Sequence, residues 1–335
     1  MKALVTGASG FVGANLARRL LQDGHRVHLL LRPAHEPWRL TEIADSAQIF
    51  VADLQNEDAV SRIVATVKPE WVFHLAAYGA YPNQAGIRQM VATNVLGSAA
   101  LLEASIRAGV QTFIQTGSSS EYGYKDHAAV EEERLEPNSH YAITKATATH
   151  YCQFTAKTRD FNAVSVRLYS IYGPYESPGR LIPTLIMHGL RGIFPPLVSP
   201  RIVRDFVYVD DAVSAMLQIA ASPSIPRGSV YNICSGIQTS LEEVVEIARK
   251  LMNIPGQPGW SSMEARSWDT EHWVGSPVRT AREVGWRATI DLEAGMQQTV
   301  EWLKVHPELL RLYSERIFHD ASADRRQIGP RFMAR

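Results

Sequence analysis

The feature that most constrains this chain is a glycine turn close to its first residue. Gly7, Gly10 and Gly13 follow the apolar run Lys2–Thr6 and open the stretch Phe11–Gln22, which has helical periodicity. In such a turn the first glycine allows a tight bend, the second lets the backbone approach a diphosphate, and the third permits close helix–strand packing. The backbone N–H groups and the positive helix terminus can then hold that diphosphate. The sequence therefore predicts an NAD(H)- or NADP(H)-binding unit rather than an ordinary strand-to-helix turn.

The ends of later strands extend the predicted cofactor site. Asp53, after the run Gln48–Val51, would place a carboxylate beside the adenine amino group. His74 ends the fourth apolar run and is followed by small residues, where a cofactor backbone can pass closely. A lone histidine at a strand end is more typical of a packed core residue than of a chemical participant. The cofactor-binding residues predicted so far are Gly7, Ser9, Gly10, Phe11, Val12, Gly13, Asp53, Leu54, Leu75, Ala76 and Ala77.

The residue at the end of the second apolar run indicates which of the two cofactors is bound. An acidic residue there hydrogen-bonds the adenosine ribose and repels a 2′-phosphate. This chain instead has Arg32, with Arg39 a little further on. Because a guanidinium suits a phosphate dianion and can stack on adenine, we predict NADP(H), with NAD(H) as the alternative. The competing interpretation is that Arg32 is only a solvated strand-end residue.

Apolar runs and helical stretches alternate along the first half of the chain, as in a parallel sheet covered by helices on both faces. We therefore predict an α/β fold with a Rossmann-type doubly wound parallel sheet. Proline and glycine pairs after residue 172 mark loops and short elements, which indicates a smaller mixed α/β C-terminal substrate-binding lobe. The predicted divisions are an NAD(P)-binding domain carrying the catalytic residues at 1–172, a lobe at 173–313 that can return segments to the first domain, and a C-terminal extension at 314–335.

The predicted strands are Lys2–Thr6, His25–Leu31, Gln48–Val51, Trp71–Leu75, Thr112–Thr116 and Ala163–Leu168. The predicted helices are Phe11–Gln22, Asp58–Val67, Arg88–Ala108, Tyr141–Arg159, Asp210–Ala220, Ser240–Leu251 and Leu292–Leu303.

Composition excludes several classes of protein. Of the 335 residues, 45% are hydrophobic and 34 basic residues balance 34 acidic ones, so no net charge drives the chain towards nucleic acid. No apolar run approaches the roughly 18 residues that would suggest a membrane span, and the strand at Lys2 leaves no room for a signal peptide. Cys152 and Cys234 lack metal-ligand spacing and are typical of reduced, packed thiols. We predict a cytoplasmic protein with no metal site and no nucleic-acid or membrane partner.

A tyrosine and a lysine suggest the chemistry. Tyr141 and Lys145 are four residues apart on a predicted helix and therefore share one face. The ammonium should favour phenolate and lower the tyrosine pKa from about 10, and it could also hold the nicotinamide ribose. Tyr141 would then act as general acid when a carbonyl is reduced, or as general base when an alcohol is oxidised. Upstream, the strand-like segment Phe113–Thr116 leads into a hydroxyl-rich turn that could stabilise charge during hydride transfer.

With these residues the chain resembles the extended short-chain dehydrogenase/reductase family, which includes nucleotide-sugar epimerases, dehydratases and reductases. The resemblance covers roughly residues 1 to 305, with several motifs in the family's order. They are the glycine turn, His74–Ala77, Asn94-Val95-x-Gly97, Ser118 with Tyr122-Gly123, Tyr141 with Lys145, Arg167-Leu168-x-x-Ile171-Tyr172-Gly173-Pro174, Arg204-Asp205-Phe206-Val207-Tyr208-Val209-x-Asp211, and Val284-Gly285-Trp286.

The resemblance implies a catalytic triad of Ser118, Tyr141 and Lys145, and it adds Asn94 to the cofactor site together with Tyr141 and Lys145. Sugar 4,6-dehydratases of the family look to have Asp and Glu after the catalytic hydroxyl. This chain has Ser119 and Ser120 there, which argues against a dehydratase. Glu121 is adjacent but out of register, and its role stays open.

The resemblance also implies substrate contacts. Arg204 is the first candidate for the nucleotide diphosphate, with a salt bridge to Asp205 or Asp210 as the competing interpretation, and Arg266 is the second. The Asn that the family commonly has after the Arg167 strand is replaced by Tyr169-Ser170, which puts that usual contact in doubt. The predicted substrate-binding residues are Tyr78, Ser118, Ser119, Arg204 and Arg266, and the loop residues Tyr81 and Asn83 could line the same pocket or be ordinary loop residues.

Three functions compete. The leading prediction is an NADPH-dependent reductase of a nucleoside-diphosphate (NDP) keto-deoxy-hexose, based on Arg32 and the missing dehydratase carboxylates. The alternative is an NDP-sugar epimerase with a tightly bound cofactor. The third is a non-enzymatic cofactor-sensing protein, which the intact pair of Tyr141 and Lys145 disfavours. The resemblance further implies a homodimer formed through the helices Arg88–Ala108 and Tyr141–Arg159.

Overall fold

The computed structural model describes residues 1–81, 84–264 and 270–318. Its strands are β1 Lys2–Thr6, β2 Arg26–Leu31, β3 Gln48–Val51, β4 Trp71–His74, β5 Thr112–Ser118, β6 Ala163–Leu168, β7 Ser170–Tyr172, β8 Val203–Arg204, β9 Phe206–Tyr208, β10 Val230–Ile233 and β11 Thr239–Ser240. Its α-helices are α1 Phe11–Gln22, α2 Glu57–Val67, α3 Ile87–Val91, α4 Ser98–Arg107, α5 His140–Thr158, α6 Leu181–Gly189, α7 Val209–Ala221, α8 Leu241–Met252, α9 Val278–Val284, α10 Leu292–Val305 and α11 Pro307–Phe318.

Seven strands form one parallel sheet in the order β10-β6-β5-β4-β1-β2-β3. The strand order reverses between β1 and β4, where Thr6 pairs with His74. In an open α/β sheet, ligands bind outside the carboxyl ends of the strands at such a reversal. The glycine turn after β1 and the small residues after β4 therefore meet where the fold places a cofactor. The predicted α/β Rossmann-type sheet is confirmed.

The sheet is buried on both faces because successive strand side chains point in opposite directions. On β1, Ala3 and Val5 pack into one apolar cluster with residues of α1 and α7. Leu4, between them, packs into a second cluster with residues of α2, α4 and α5. This is why the strands read as continuous apolar runs rather than as alternating ones.

The later part of the chain divides its elements between two places. Helix α7 packs on the α1 face of the sheet, and β10 adds the seventh strand beside β6. Helices α6, α8, α10 and α11 instead form a separate apolar cluster with Tyr172 and Tyr208. Two short pairings, β7 with β9 and β8 with β11, connect this helical cluster to the sheet.

Two sequence expectations differ from the structure. The predicted helix Arg88–Ala108 is interrupted: Ala92–Gly97 forms a π-helical turn between α3 and α4. Such a turn widens the helix locally, and Gly97 there packs against Leu54, since a Cβ on Gly97 would lie 2.9 Å from the Leu54 Cβ. The chain also continues as helix α11 to Phe318 rather than leaving the fold near Tyr313, whose side chain is buried.

Candidate active site

The glycine turn forms a cradle that side chains would fill. Gly7 has φ +70°, and a Cβ there would lie 2.5 Å from the backbone nitrogen of Ala76. A Cβ on Gly13 would lie 2.4 Å from the Gly7 carbonyl oxygen. Gly10, the N-cap of α1, offers no side chain to the first-turn N–H groups, which leaves the helix terminus open to an anion. The cradle therefore fits a dinucleotide diphosphate held by Ser9, Gly10, Phe11 and Val12.

Arg39 does not serve the cofactor phosphate as its proximity to Arg32 suggested. Its guanidinium is buried and donates to the carbonyl oxygens of Tyr175 at 2.7 Å and Ser9 at 3.2 Å, and to the Ser177 hydroxyl at 2.9 Å. Arg39 thus fastens the glycine turn to the segment after β7. Arg32 is exposed at the end of β2, and the phosphate contact predicted for it stays a prediction.

His74 is a buried core residue, as its position in the sequence favoured. Its Nδ1 lies 2.6 Å from the Thr6 hydroxyl and its Nε2 lies 2.8 Å from the Ser98 hydroxyl. The Ser98 hydroxyl donates its proton to the Asn94 carbonyl, so it must accept from His74 Nε2–H. The imidazole is therefore neutral, and its Nδ1 accepts from the Thr6 hydroxyl, which itself accepts from the Ala76 N–H. Burial, with the nearby Lys145 charge, lowers the pKa of His74 to about 3.

Asn94 holds the loop that follows β4. Its amide oxygen accepts from the Tyr78 N–H, and its amide nitrogen donates to the Tyr78 carbonyl, both at 2.8 Å. The same nitrogen donates to the Thr144 hydroxyl on α5. Asn94 therefore joins the loop carrying Ala76, Ala77 and Tyr78 to the helix that carries Tyr141. Its predicted direct contact with a cofactor stays a prediction.

Asp53 and Leu54 follow β3. Leu54 is buried against Gly97, and the Asp53 carboxylate accepts from the backbone and side-chain nitrogens of Gln55. This arrangement turns the chain into α2 at the carboxyl edge of the sheet. The adenine contact predicted for Asp53 stays a prediction.

The catalytic side chains come from β5 and α5. Ser118 ends β5 and caps the 3₁₀ turn Ser119–Tyr122, and its hydroxyl lies 2.8 Å from that of Ser120. Helix α5 begins after Ser139, whose hydroxyl accepts from the Ala142 N–H, and the helix presents Tyr141 one turn before Lys145. The Ser118 hydroxyl favours the phenolate of Tyr141 and opposes the rise that burial causes in its pKa. The end of β5 and the first turns of α5 thus carry the three residues predicted as a triad.

The electrostatics of this triad correct one sequence expectation. Lys145 was expected to lower the pKa of Tyr141, but in the substrate-free protein burial and the negative charge of Glu121 raise it to about 12. Burial lowers the pKa of Lys145 to about 8, against an opposing effect of Glu121. A spacing of four residues places the two groups on one helix face, but the solvation of that face decides their proton affinities.

Behind the hydroxyl-rich turn lies a buried ion pair. Arg167 on β6 donates from Nε to Glu121 Oε2 at 2.8 Å, and both side chains are at most 2% exposed. The same guanidinium donates to the Tyr122 hydroxyl at 2.8 Å and to the Glu131 carbonyl at 3.3 Å. The Tyr122 hydroxyl in turn donates to Asn232 on β10 at 2.7 Å. This network holds the catalytic turn on the sheet.

A tryptophan connects two predicted substrate residues. The indole N–H of Trp273 donates to the Ser119 hydroxyl at 3.2 Å, and the Arg204 guanidinium carbon lies 5.7 Å from the centre of the Trp273 ring. Ser119 follows the catalytic Ser118 directly. Trp273 therefore lies between Ser119 and Arg204, two of the predicted substrate-binding residues.

Asp205, one of the two ion-pair partners considered for Arg204, has other partners. The Asp205 carboxylate instead accepts from the Ser235 hydroxyl at 2.7 Å and from the N–H groups of Ser235, Gly236 and Gly275. Arg204 itself donates to the Val203 carbonyl oxygen. Arg266 and Asn83 lie outside the described residues.

Sequence reasoning missed two residues at this site, Trp273 and Arg180, and left the role of Glu121 open. The contact of Glu121 with Ser118 and that of Trp273 with Ser119 form only in the folded chain. Arg180, four residues after Glu176, acts electrostatically on Tyr141 and lies over the ring of Tyr81, whose hydroxyl is 2.8 Å from that of Ser177. Only the proline and glycine residues around Arg180 were noticed in the sequence, as marks of a loop.

Within residues 1–81, 84–264 and 270–318, no group of three His, Cys, Asp or Glu side chains is arranged to hold a metal ion. No helix in those ranges is long and apolar enough to cross a membrane. Cys152 and Cys234 are buried free thiols.

Comparison with known proteins places this site in a family. Residues 3–234 match the model of the NAD dependent epimerase/dehydratase family. A dTDP-glucose 4,6-dehydratase from Streptomyces griseus is 31% identical, over 90% of this chain and 94% of that protein. The structure of a UDP-glucose 4-epimerase from Thermotoga maritima with UDP-glucose has a TM-score of 0.80 at 26% identity, covering 91% of this chain and 99% of that one.

A second epimerase structure adds the cofactor. The UDP-glucose 4-epimerase from Thermus thermophilus in complex with NAD also has a TM-score of 0.80 at 26% identity, covering 90% of this chain and 98% of that one. The match spans both the glycine cradle and the triad. The chain therefore belongs to the NAD dependent epimerase/dehydratase family and is a nucleotide-sugar-modifying enzyme.

Proposed function

We propose that the protein is an NDP-sugar epimerase that oxidises one carbon of its substrate and reduces it again from the other face. The observation that carries this proposal is the meeting of Ser118, Tyr141 and Lys145 beside a dinucleotide cradle. Ser119 and Ser120 stand where a dehydratase would need two carboxyl groups. The sequence favoured a reductase instead, but the relatives named above are epimerases and a dehydratase, which supports the epimerase over the reductase.

The chemistry follows from the positions of the three side chains. Tyr141 would remove the proton of a sugar hydroxyl as the carbon beneath it loses hydride, and would return that proton when hydride comes back. The Ser118 hydroxyl would donate to the same oxygen in both directions. The Lys145 ammonium, on the same helix face, would stabilise the phenolate. When bound, the nicotinamide supplies the acceptor and donor of hydride.

The proposed binding of a nucleoside-diphosphate sugar is based on Arg204 and Trp273. An arginine can bind a diphosphate with two parallel hydrogen bonds, and Trp273 offers a flat apolar surface between that arginine and Ser119. We propose Arg204, Arg266 and Tyr78 as further substrate contacts, with an NDP-hexose as the ligand. The UDP-glucose bound by the Thermotoga relative supports this class.

One observation favours a second candidate, the NADPH-dependent reductase of an NDP-keto-deoxy-hexose. Arg32 is exposed at the end of β2, where a guanidinium can pair with a 2′-phosphate, so NADP(H) stays our proposed preference over NAD(H). The reductase would use the same triad, with Tyr141 delivering its proton to a keto oxygen once per turnover.

One experiment separates the two candidates. The purified protein is incubated without added cofactor with UDP-glucose, dTDP-glucose or UDP-glucuronic acid, and the products are identified by NMR. We expect conversion to a stereoisomer. Net oxidation of NADPH by an NDP-4-keto sugar, with no isomerisation of any of the three sugars, would overturn the epimerase and support the reductase.

Replacing Arg32 with aspartate is expected to reverse the cofactor preference. The carboxylate would repel a 2′-phosphate and could bind the ribose hydroxyls, so the ratio of the NADPH to the NADH dissociation constant should rise about tenfold or more. Calorimetric titration with each cofactor measures that ratio. Arg26→Asp, at the opposite end of β2, is the matched control and should leave it unchanged. An unaltered ratio in Arg32→Asp would remove the argument for NADP(H).

We also propose that two copies of the chain form a homodimer through α3, the π-helical turn and α5. Large apolar side chains remain exposed on these neighbouring elements, with Leu96 63% and Phe154 67% exposed. An exposed apolar patch of this kind is typical of an interface. The exposed side chains that define this surface are Ile87, Val91, Leu96, Ile143 and Phe154.

Replacing Phe154 with glutamate is expected to produce monomers at micromolar concentration, because the interface would have to bury two unpaired charges. Light scattering after gel filtration measures the mass. Val305→Glu is the matched control, since Val305 is 72% exposed at the end of α10 and lies outside this surface. A wild-type protein that is already monomeric would contradict the proposed homodimer.

A further inference from the structure

Helix α5 presents a stripe of three residues to the catalytic edge. Tyr141, Lys145 and Thr149 are spaced by four residues and therefore lie one above another on the same helix face. The Thr149 hydroxyl donates to Glu121 Oε1 at 3.1 Å. The Glu121 carboxylate thus contacts the face that carries the acid/base tyrosine and its lysine.

The same carboxylate also holds the hydroxyl side of the triad. Glu121 Oε1 accepts from the Ser118 N–H at 2.8 Å, while Oε2 accepts from Arg167. Its side chain is fully buried. The space that it fills exists only because residue 117 is glycine, where a Cβ would lie 2.6 Å from Glu121 Oε1.

The charge of Glu121 acts on both titrating members of the triad. It raises the pKa of Lys145, which burial lowers, and it raises the pKa of Tyr141 together with burial. The groups that face or flank the carboxylate are Ser118 and Tyr122 of the turn, Arg167 of β6 with Glu131 behind it, and Tyr141, Lys145 and Thr149 of α5. Of these, Arg167 pairs with Glu121 directly.

We propose that Glu121 is a positioning residue of the active site: its buried carboxylate holds the Ser118 backbone and the Thr149 hydroxyl, one helical turn from Lys145, and places a negative charge beside that face of α5. The inference rests on the proposed hydride-transfer roles of Ser118, Tyr141 and Lys145. Without that charge, a lysine at 3% exposure would favour its neutral form, and it would no longer stabilise a phenolate at Tyr141.

A purely structural role for Glu121 predicts something different. A capping carboxylate needs only acceptor oxygens, which a glutamine also has. Glu121→Gln would then keep the turn and leave the titration of Lys145 unchanged. The electrostatic role predicts that the same substitution alters that titration.

The test is the titration of Lys145 by NMR, with lysine labelled at ¹³Cε in the full-length protein. The chain has seven lysines, and Lys145→Met assigns the resonance. We expect Glu121→Gln to lower the titration midpoint of Lys145 by about one pH unit or more. Glu121→Asp, which keeps the charge, should restore most of the difference.

A matched control and a second variant keep the test decisive. Glu131→Gln removes another buried carboxylate of the same network, one whose side chain accepts from the Asn232 N–H, and should leave the Lys145 midpoint in place. If Glu121→Gln is unstable because Arg167 loses its partner, the neutral double variant Glu121→Gln/Arg167→Met should show the same downward shift. An unchanged midpoint in whichever of these variants folds would overturn the proposal.

Activity measurements separate the role of Glu121 from the proposed function of the protein. With an identified substrate, Glu121→Gln should lower kcat about tenfold at pH 8 and move the alkaline fall of activity to lower pH, with KM nearly unchanged. If the midpoint shifts but no NDP-sugar is turned over by the wild type, the proposed function fails while the role of Glu121 stands. If turnover is found and the midpoint does not move, the inference alone fails.

Discussion

Replacing Tyr141 with phenylalanine is expected to lower kcat about 10²- to 10⁴-fold, the range that a positioned general acid/base contributes. The ring would remain in its partly buried position, so only the hydroxyl group with its exchangeable proton would be lost. Dissociation constants for the cofactor should stay within about twofold, because the glycine cradle does not depend on the phenol. Steady-state kinetics with the identified substrate and calorimetric titration with the cofactor provide the two measurements.

The same helix supplies a control for this substitution. Tyr151→Phe removes a hydroxyl that lies farther along α5 and donates to Glu103, and should leave kcat unchanged. Turnover that survives in Tyr141→Phe at near wild-type rate would show that another group moves the proton. The catalytic assignment of Ser118 and Lys145 would then fail with it, since both were placed around this phenol.

Replacing Arg167 with methionine is expected to lower the free energy of unfolding by about 3–5 kcal/mol, the usual cost of removing one partner from a buried ion pair. The side chain would leave the Glu121 carboxylate fully buried without its cation, and would also remove donors to Tyr122 and Glu131. Urea unfolding followed by circular dichroism measures the change.

A double variant distinguishes charge from packing in this prediction. Glu121→Gln/Arg167→Met leaves no unpaired charge and should recover most of the lost stability, because replacing both members of a buried pair is often close to neutral. Arg311→Met breaks the exposed pair with Glu315 on α11 and should lower the free energy of unfolding only slightly. A loss that small for Arg167→Met would mean that the buried pair contributes little.

Local patterns in the sequence were enough to predict the positions of most strands and helices of the parallel sheet domain. Gly7 lies between a strand and a helix that sequence periodicity locates correctly, and the boundaries of β3 and β6 are the predicted ones. Such features depend on the backbone within a few residues. The interruption at Ala92–Gly97 could not be seen this way, because it depends on Leu54 packing against Gly97 from another strand connection.

The two arginines near β2 also show that local sequence patterns cannot predict contacts between distant residues. Arg32 and Arg39 have the same chemistry and similar positions in the sequence, so both suited a phosphate. Only the folded chain brings Tyr175 and Ser177 to Arg39, which occupies its donors and leaves Arg32 as the exposed guanidinium. The choice depends on contacts between residues that are more than a hundred positions apart.

The sequence by itself predicted the glycine cradle and the alternation of strands and helices, because each depends on residues that are close together in the chain. It also predicted the pair Tyr141 and Lys145 from their helical spacing, while Ser118 came from the family resemblance. The tertiary structure alone decided how these groups hold their protons. Burial raises the proton affinity of Tyr141 and lowers that of Lys145, and Glu121 raises both, because desolvation and Coulomb interactions depend on distance in space. The glycine turn thus predicts where a cofactor binds, and the packing around the triad sets the chemistry that can follow.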